Sequence, residues 1–103
     1  MSRKVMRQPE AISEILGNLL KRRGLARKMA QYEVFEIWED VVGSTIAKQT
    51  TPQKMQGDIL VVAVKSAAWA QELTFIKPLI LKRIREKSPD AKIADIRFTA
   101  GRL

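Results

Sequence analysis

Gly57-Asp58-Ile59-Leu60-Val61-Val62-Ala63-Val64-Lys65-Ser66-Ala67-Ala68-Trp69-Ala70-Gln71-Glu72-Leu73 decides the fold. Its first residues, with Gln56 before them, have turn chemistry. Ile59 to Val64 is a short, continuous β-branched and aliphatic run, the pattern of a strand buried on both faces or covered by helices. Ser66 is an N-cap residue and predicts a helix reaching to about Lys87. Trp69, Leu73, Ile76, Ile80 and Ile84 form its apolar stripe. Pro78 lies inside that helix and predicts a kink or a break. Ser88-Pro89-Asp90 is a turn, and Ile93 to Thr99 reads as a final strand. A strand, a helix and another strand make a βαβ-type crossover, which is right-handed where the two strands pair in parallel.

Upstream, Met1 to Gln8 reads as a flexible basic arm, and residues 9–103 as one domain. Pro9 suits the first turn of a helix. Ile12, Ile15, Leu16, Leu19 and Leu20 recur at helical spacing, and Gly24 stops that helix. A second helix is expected from about Ala26 to Val42, with Val34, Phe35, Trp38, Val41 and Val42 on one side. Glu33, Glu36, Glu39 and Asp40 fall on the other side with Met29 and Tyr32. Gly43 ends or breaks it ahead of a short turn holding Ile46 and Ala47. Thr51 to Met55 fits an edge strand because it contains Pro52. The expected order is α-α-β-β-α-β, a small α+β domain whose three-stranded sheet carries helices on one face.

Composition narrows the function. The 103-residue chain suits one modest core. It has no cysteine and no histidine, which excludes Cys- or His-based zinc sites, Ser-His triads and disulfide frameworks. No Walker loop or Rossmann glycine pattern is present. No run approaches a membrane span and the N-terminus lacks the apolar core of a signal peptide, so the cytoplasm is the expected location. Non-enzymatic action without cofactor or metal is expected.

The net charge is +8. Residues 1–28 carry +6, residues 29–64 carry −3 and residues 65–103 carry +5, so basic ends flank an acidic middle. This balance favours a polyanionic partner, either nucleic acid or an acidic protein surface. Candidate phosphate contacts are Arg3, Lys4 and Arg7 in the arm; Lys21, Arg22, Arg23, Arg27 and Lys28 around the first helix junction; and Lys82, Arg83, Arg85 and Lys87 late in the third helix. Such residues neutralise phosphates without implying sequence specificity. A solvated helix face is the competing reading of each run. Phe75 lies opposite the Trp69–Ile80 stripe, near Leu79 and Lys82, where an aromatic beside cations can stack a splayed base or pack in an interface. Trp38 and Trp69 lie on apolar stripes and are read first as core. Glu36 with Glu39 or Asp40 is read as a solubilising face or a docking surface for a basic partner.

Three runs carry a family resemblance: Trp38-Glu39-Asp40-Val41-Val42-Gly43 with Ile46-Ala47 and Thr50; Gly57 with its strand and Ser66 to Leu73; and Ile96-Arg97-Phe98 with Gly101. Over roughly residues 10–102 the sequence resembles the DciA family, proposed operators or loaders of the bacterial replicative helicase. The resemblance implies a KH-like domain that binds single-stranded or forked DNA and acts with the helicase. Gln49 stands where members often have histidine. Gly43 is followed by Ser44-Thr45-Ile46, so the Gly-x-x-Gly backbone clamp of a KH module is missing. Longer members carry a disordered C-terminal extension, and the chain's end at Leu103 reads as a short form. Two other readings stay open: a protein-interaction module that binds no nucleic acid, and an RNA-binding KH-like protein. Oligomeric state is open.

Overall fold

The computed structural model describes residues 14–16, 18 and 24–101. The basic arm and most of the first predicted helix lie outside these residues, though Glu14–Leu16 and Asn18 are helical. From Gly24 onward the elements are α1 (Leu25–Glu36), α2 (Trp38–Val42), α3 (Ser44–Ala47), β1 (Thr50–Gln56), β2 (Ile59–Val64), α4 (Ala67–Phe75), α5 (Lys77–Lys87), a 3₁₀ turn (Pro89–Ala91) and β3 (Asp95–Ala100). The sheet order is β1-β2-β3. β1 pairs antiparallel and β3 parallel with the central strand β2. The α+β class and element order are those expected from the sequence.

β2 holds the core together. Leu60, Val62 and Val64 point to one face and pack with Val34, Trp38 and Val41 from the N-terminal helices, with Leu73, Ile80 and Ile84 from α4 and α5, and with Ile93 and Ile96. Each such side chain is worth roughly 1.5–3 kcal/mol of burial, so this cluster is the main favourable term for the domain. The alternate residues Val61 and Ala63 are also buried but lie on the other face, outside that cluster. In register, Val61 is flanked by Lys54 and Arg97, and Ala63 by Thr51 and Thr99. Arg97 Nη1 reaches across β2 to donate to Gln56 Oε1 at 2.9 Å.

Three boundaries differ from the sequence expectation. The second predicted helix is divided at Ile37 (φ −98°, ψ 14°), and it ends at Gly43 (φ 90°, ψ 159°) as expected. The Ile37 break is local, since Ile37 N–H still donates to Glu33 and Val41 N–H to Ile37. The third predicted helix breaks at Ile76 rather than at Pro78, because Pro78 sits in the first turn of α5, where a missing N–H costs nothing. β3 begins at Asp95, two residues after the buried Ile93. Ser66 caps α4 as expected, its hydroxyl accepting from the Trp69 backbone N–H at 3.1 Å.

Side-chain bonds fix the connections. Gln31 Nε2 donates to the Ala91 carbonyl at 3.1 Å, and the Ser88 hydroxyl donates to the Ala30 carbonyl at 3.3 Å. Both bonds are buried, and they seat α1 on the Pro89–Ala91 turn. That seating leaves a trough between α1 and the edge strand β1. Among the described residues no helix is long and apolar enough to cross a membrane.

Candidate nucleic-acid interface

The cations named from the sequence fall into three groups. Arg3, Lys4, Arg7, Lys21, Arg22 and Arg23 lie outside the described residues. Lys82, Arg83, Arg85 and Lys87 are exposed on α5. Arg85 and Lys87 occupy its last turn, where cations also suit the helix dipole. Arg83 has a bond within the fold: its Nη1 donates to the Val41 carbonyl at 3.1 Å, satisfying an end of α2. Phe75 is 78% exposed and Leu79 48% exposed, so the break at Ile76 leaves an apolar ridge open to solvent beside Lys82.

The third group, Arg27 and Lys28, lies on α1 beside β1. Two hollows run along this seam. One, of about 330 Å³, is lined by Lys28, Gln31, Tyr32, Phe35, Gln53, Lys54 and Met55. The other, of about 350 Å³, shares Lys28, Gln31 and Met55 and adds Gly24, Arg27 and Gly57. Lys28, Gln31, Tyr32 and Phe35 recur at i, i+3, i+4 and i+7, one side of α1. On β1 the register slips between Pro52 and Lys54, leaving Gln53 as the extra residue of a bulge. Among the described residues no carboxylate lines either hollow.

From the sequence alone, Tyr32 falls on the acidic side of the second helix with no role of its own, and Gln53 and Lys54 carry none within the predicted edge strand. The useful signal was a lysine and a tyrosine four residues apart on one helical side, with a lysine in a proline-containing edge strand. Only the tertiary fold joins those segments.

Around α1 from this trough, Ala26, Met29, Ala30, Tyr32, Glu33, Glu36 and Asp90 surround a hollow of about 490 Å³. Met29 is 60% exposed, so the acidic face carries an apolar centre. The two expected core aromatics are core: Trp38 is buried, and Trp69 packs against the cluster half-buried.

Among the described residues the ion pair Lys77–Asp95 closes at 2.9 Å. The Lys77 ammonium, helped by the Ile96 backbone N–H, holds the Asp95 carboxyl below its ordinary value. The other cations of the described surface form no ion pair among those residues.

Comparison with known proteins agrees with these signatures. The family model described as "Dna[CI] antecedent, DciA" matches residues 11–98. The chain belongs to the DciA family. DciA is an accessory family linked to the replicative helicase, and it is not a known enzyme family. Similar proteins include a UPF0232 protein of Rhodococcus jostii, 30% identical over 93 residues, covering 90% of this chain and 50% of that protein. A UPF0232 protein of Streptomyces coelicolor is 32% identical over 82 residues, covering 78% and 43% respectively. A UPF0232 protein of Mycobacterium ulcerans is 28% identical over 93 residues, covering 90% and 50%. The chain spans about half the length of the curated relatives it matches.

Proposed function

We propose that this DciA-family chain is a non-enzymatic DNA-binding accessory protein that assists the bacterial replicative helicase in DNA replication. The observation that carries this reading is the family match across residues 11–98. The net charge of +8 supports its DNA-binding half, as do the exposed cations Lys28, Lys82, Arg85 and Lys87, which form no ion pair among the described residues. In this mechanism the helicase supplies the ATPase and this chain supplies position. Cations release counterions from the phosphates of single-stranded or forked DNA, while another face meets the helicase. The candidate contacts are the arm residues Arg3, Lys4 and Arg7, the junction residues Lys21, Arg22, Arg23, Arg27 and Lys28, and Lys82, Arg83, Arg85, Lys87 and Phe75 on the C-terminal helices.

The test is anisotropy of labelled single-stranded DNA at several salt concentrations, with duplex and RNA competitors, followed by helicase loading onto a covered fork. Binding that weakens steeply with salt and favours DNA is the expected result. No binding at low salt removes the DNA-binding half. A second reading, a protein-interaction module, draws on the hollow around Met29, whose Glu33, Glu36 and Asp90 suit a basic partner. It predicts helicase binding without DNA.

A further inference from the structure

We propose that the trough between α1 and the bulged edge strand β1 holds an unpaired nucleotide of single-stranded DNA, with its base against Tyr32 and its phosphates on Lys28 and Lys54. The proposal rests on the DNA-binding reading above and assigns it a site.

Four observations carry it. The first is the aromatic. Tyr32 is 76% exposed, yet its ring is braced by Phe35 at a centroid distance of 6.4 Å and a tilt of 49°. Phe35 in turn packs against the core. A braced, exposed ring is a stacking platform that loses little conformational freedom on binding, and stacking accepts any base.

The second is charge. Lys28 and Lys54 come from the two walls, and among the described residues neither hollow has a lining carboxylate. Such a trough suits an anionic occupant, with the carboxylates Glu33, Glu36 and Asp90 lying past Tyr32 in the neighbouring hollow.

The third is the polar lining. Arg27 borders the second hollow, although its Nε is buried without a hydrogen-bond partner among the described residues and so lies out of a ligand's reach. Gln31 commits its Nε2 to Ala91, and its amide oxygen with the Gln53 amide, both from residues lining the first hollow, can meet the polar edge of a base.

The fourth is shape. Each hollow is near the lower end of the roughly 300–1,000 Å³ range of small-ligand sites, and the two share a wall formed by Lys28, Gln31 and Met55. An open, continuous trough of that kind accepts a strand passing along it.

The experiment uses the whole chain and labelled oligo-deoxythymidine, with anisotropy read at several salt concentrations. Tyr32→Ala should weaken binding roughly 5- to 150-fold, the range that base–aromatic stacking gives on alanine substitution, with the salt slope unchanged. Tyr32→Phe should restore most of the affinity. Lys28→Ala with Lys54→Ala should instead flatten the slope by about 0.7 for each phosphate no longer neutralised. Thermal melting of each variant separates unfolding from weakened binding. Photocrosslinking with 5-iodouracil-substituted oligonucleotide should map to the peptide containing Tyr32, the chain's single tyrosine.

If the unaltered protein binds DNA while Tyr32→Ala binds equally well and crosslinks fall elsewhere, the trough is overturned and the DNA-binding reading stands. If the unaltered protein does not bind at low salt, both fall. If RNA outcompetes DNA for the trough, its assignment to DNA is overturned.

Discussion

The indole Nε1 of Trp38 donates to the hydroxyl of Thr50 at 2.9 Å, and that hydroxyl donates onward to the Ile46 carbonyl at 2.8 Å. Trp38 and Thr50 are both buried. The relay ties α2 to the start of β1 and secures the end of α3. It gives a physical reason for a tryptophan and a threonine twelve positions apart: each satisfies the other in the core. Thr50→Val preserves shape but leaves the indole N–H unpaired, while the Ile46 carbonyl keeps the Gln49 backbone N–H at 2.9 Å. The expected loss is about 1–3 kcal/mol. For a domain of this size each kcal/mol is roughly 4–8 °C of Tm. Thr50→Ser should retain most of the stability. Denaturant melts of both variants check this, and equal losses would refute the relay.

Gly43 separates α2 from α3 at φ 90° and ψ 159°, a region that side chains other than glycine rarely enter. A Cβ there would meet nothing within 4 Å, so the cost of substitution is backbone strain alone. Gly43→Ala and Gly43→Asn should both cost about 1–3 kcal/mol. Gly57 differs, because its φ of 62° lies in the left-handed region that asparagine also visits. Gly57→Asn should therefore melt close to the unaltered protein. The contrast between the two asparagine variants is the check.

The strand-to-helix run was legible because each residue's local preference agrees with its tertiary role. Ile59 to Val64 is β-branched and becomes the central strand; Ser66 prefers a cap and accepts the Trp69 N–H. The break at Ile37 was not legible. Val34, Trp38 and Val41 keep helical spacing through it, and Ile37 has no backbone peculiarity to announce a bend. The break at Ile76 was half-legible: Pro78 marks it, but the proline is tolerated by starting a helix, so the interruption falls two residues earlier. The candidate site divides the same way. The side of the helix that Phe75 and the α5 cations occupy follows from helical spacing, whereas the exposure of Phe75 is known only from the structure. The trough needs Lys28 and Tyr32 beside Gln53 and Lys54, and only the seating of α1 on the Pro89–Ala91 turn, with the β1 bulge, provides that.

Lys77 and Asp95 supply a pH dependence. The pair lowers the Asp95 carboxyl below its ordinary value in the folded chain. A lowered folded pKa contributes stability that is fully present above the unfolded value of about 3.9, and that is lost as pH falls through the folded one. Asp95's side chain is 49% exposed, so solvent screening keeps the effect small, less than about 1 kcal/mol. Asp95→Asn should therefore lose a little stability at neutral pH and match the unaltered protein in strong acid. Parallel melts across that range check it, and a constant gap at all pH values would assign the loss to packing.

Lys82 and Arg83 are neighbours in sequence with different expected behaviour. Arg83 Nη1 holds the Val41 carbonyl at 3.1 Å, whereas no side-chain bond within the described residues engages Lys82. Arg83→Ala should lower stability by about 1 kcal/mol, the net worth of an ordinary hydrogen bond, since the guanidinium is largely solvated. Lys82→Ala and Phe75→Ala should stay within about 0.5 kcal/mol, as exposed substitutions do. DNA binding then divides these residues independently of folding. If the α5 face meets phosphates, Lys82→Ala weakens binding and flattens the salt slope by about 0.7 for the phosphate it no longer neutralises. If Phe75 stacks a base, Phe75→Ala weakens binding with the slope intact. If neither variant moves affinity, the α5 ridge is free to meet the helicase, and Phe75→Ala should then weaken that interaction.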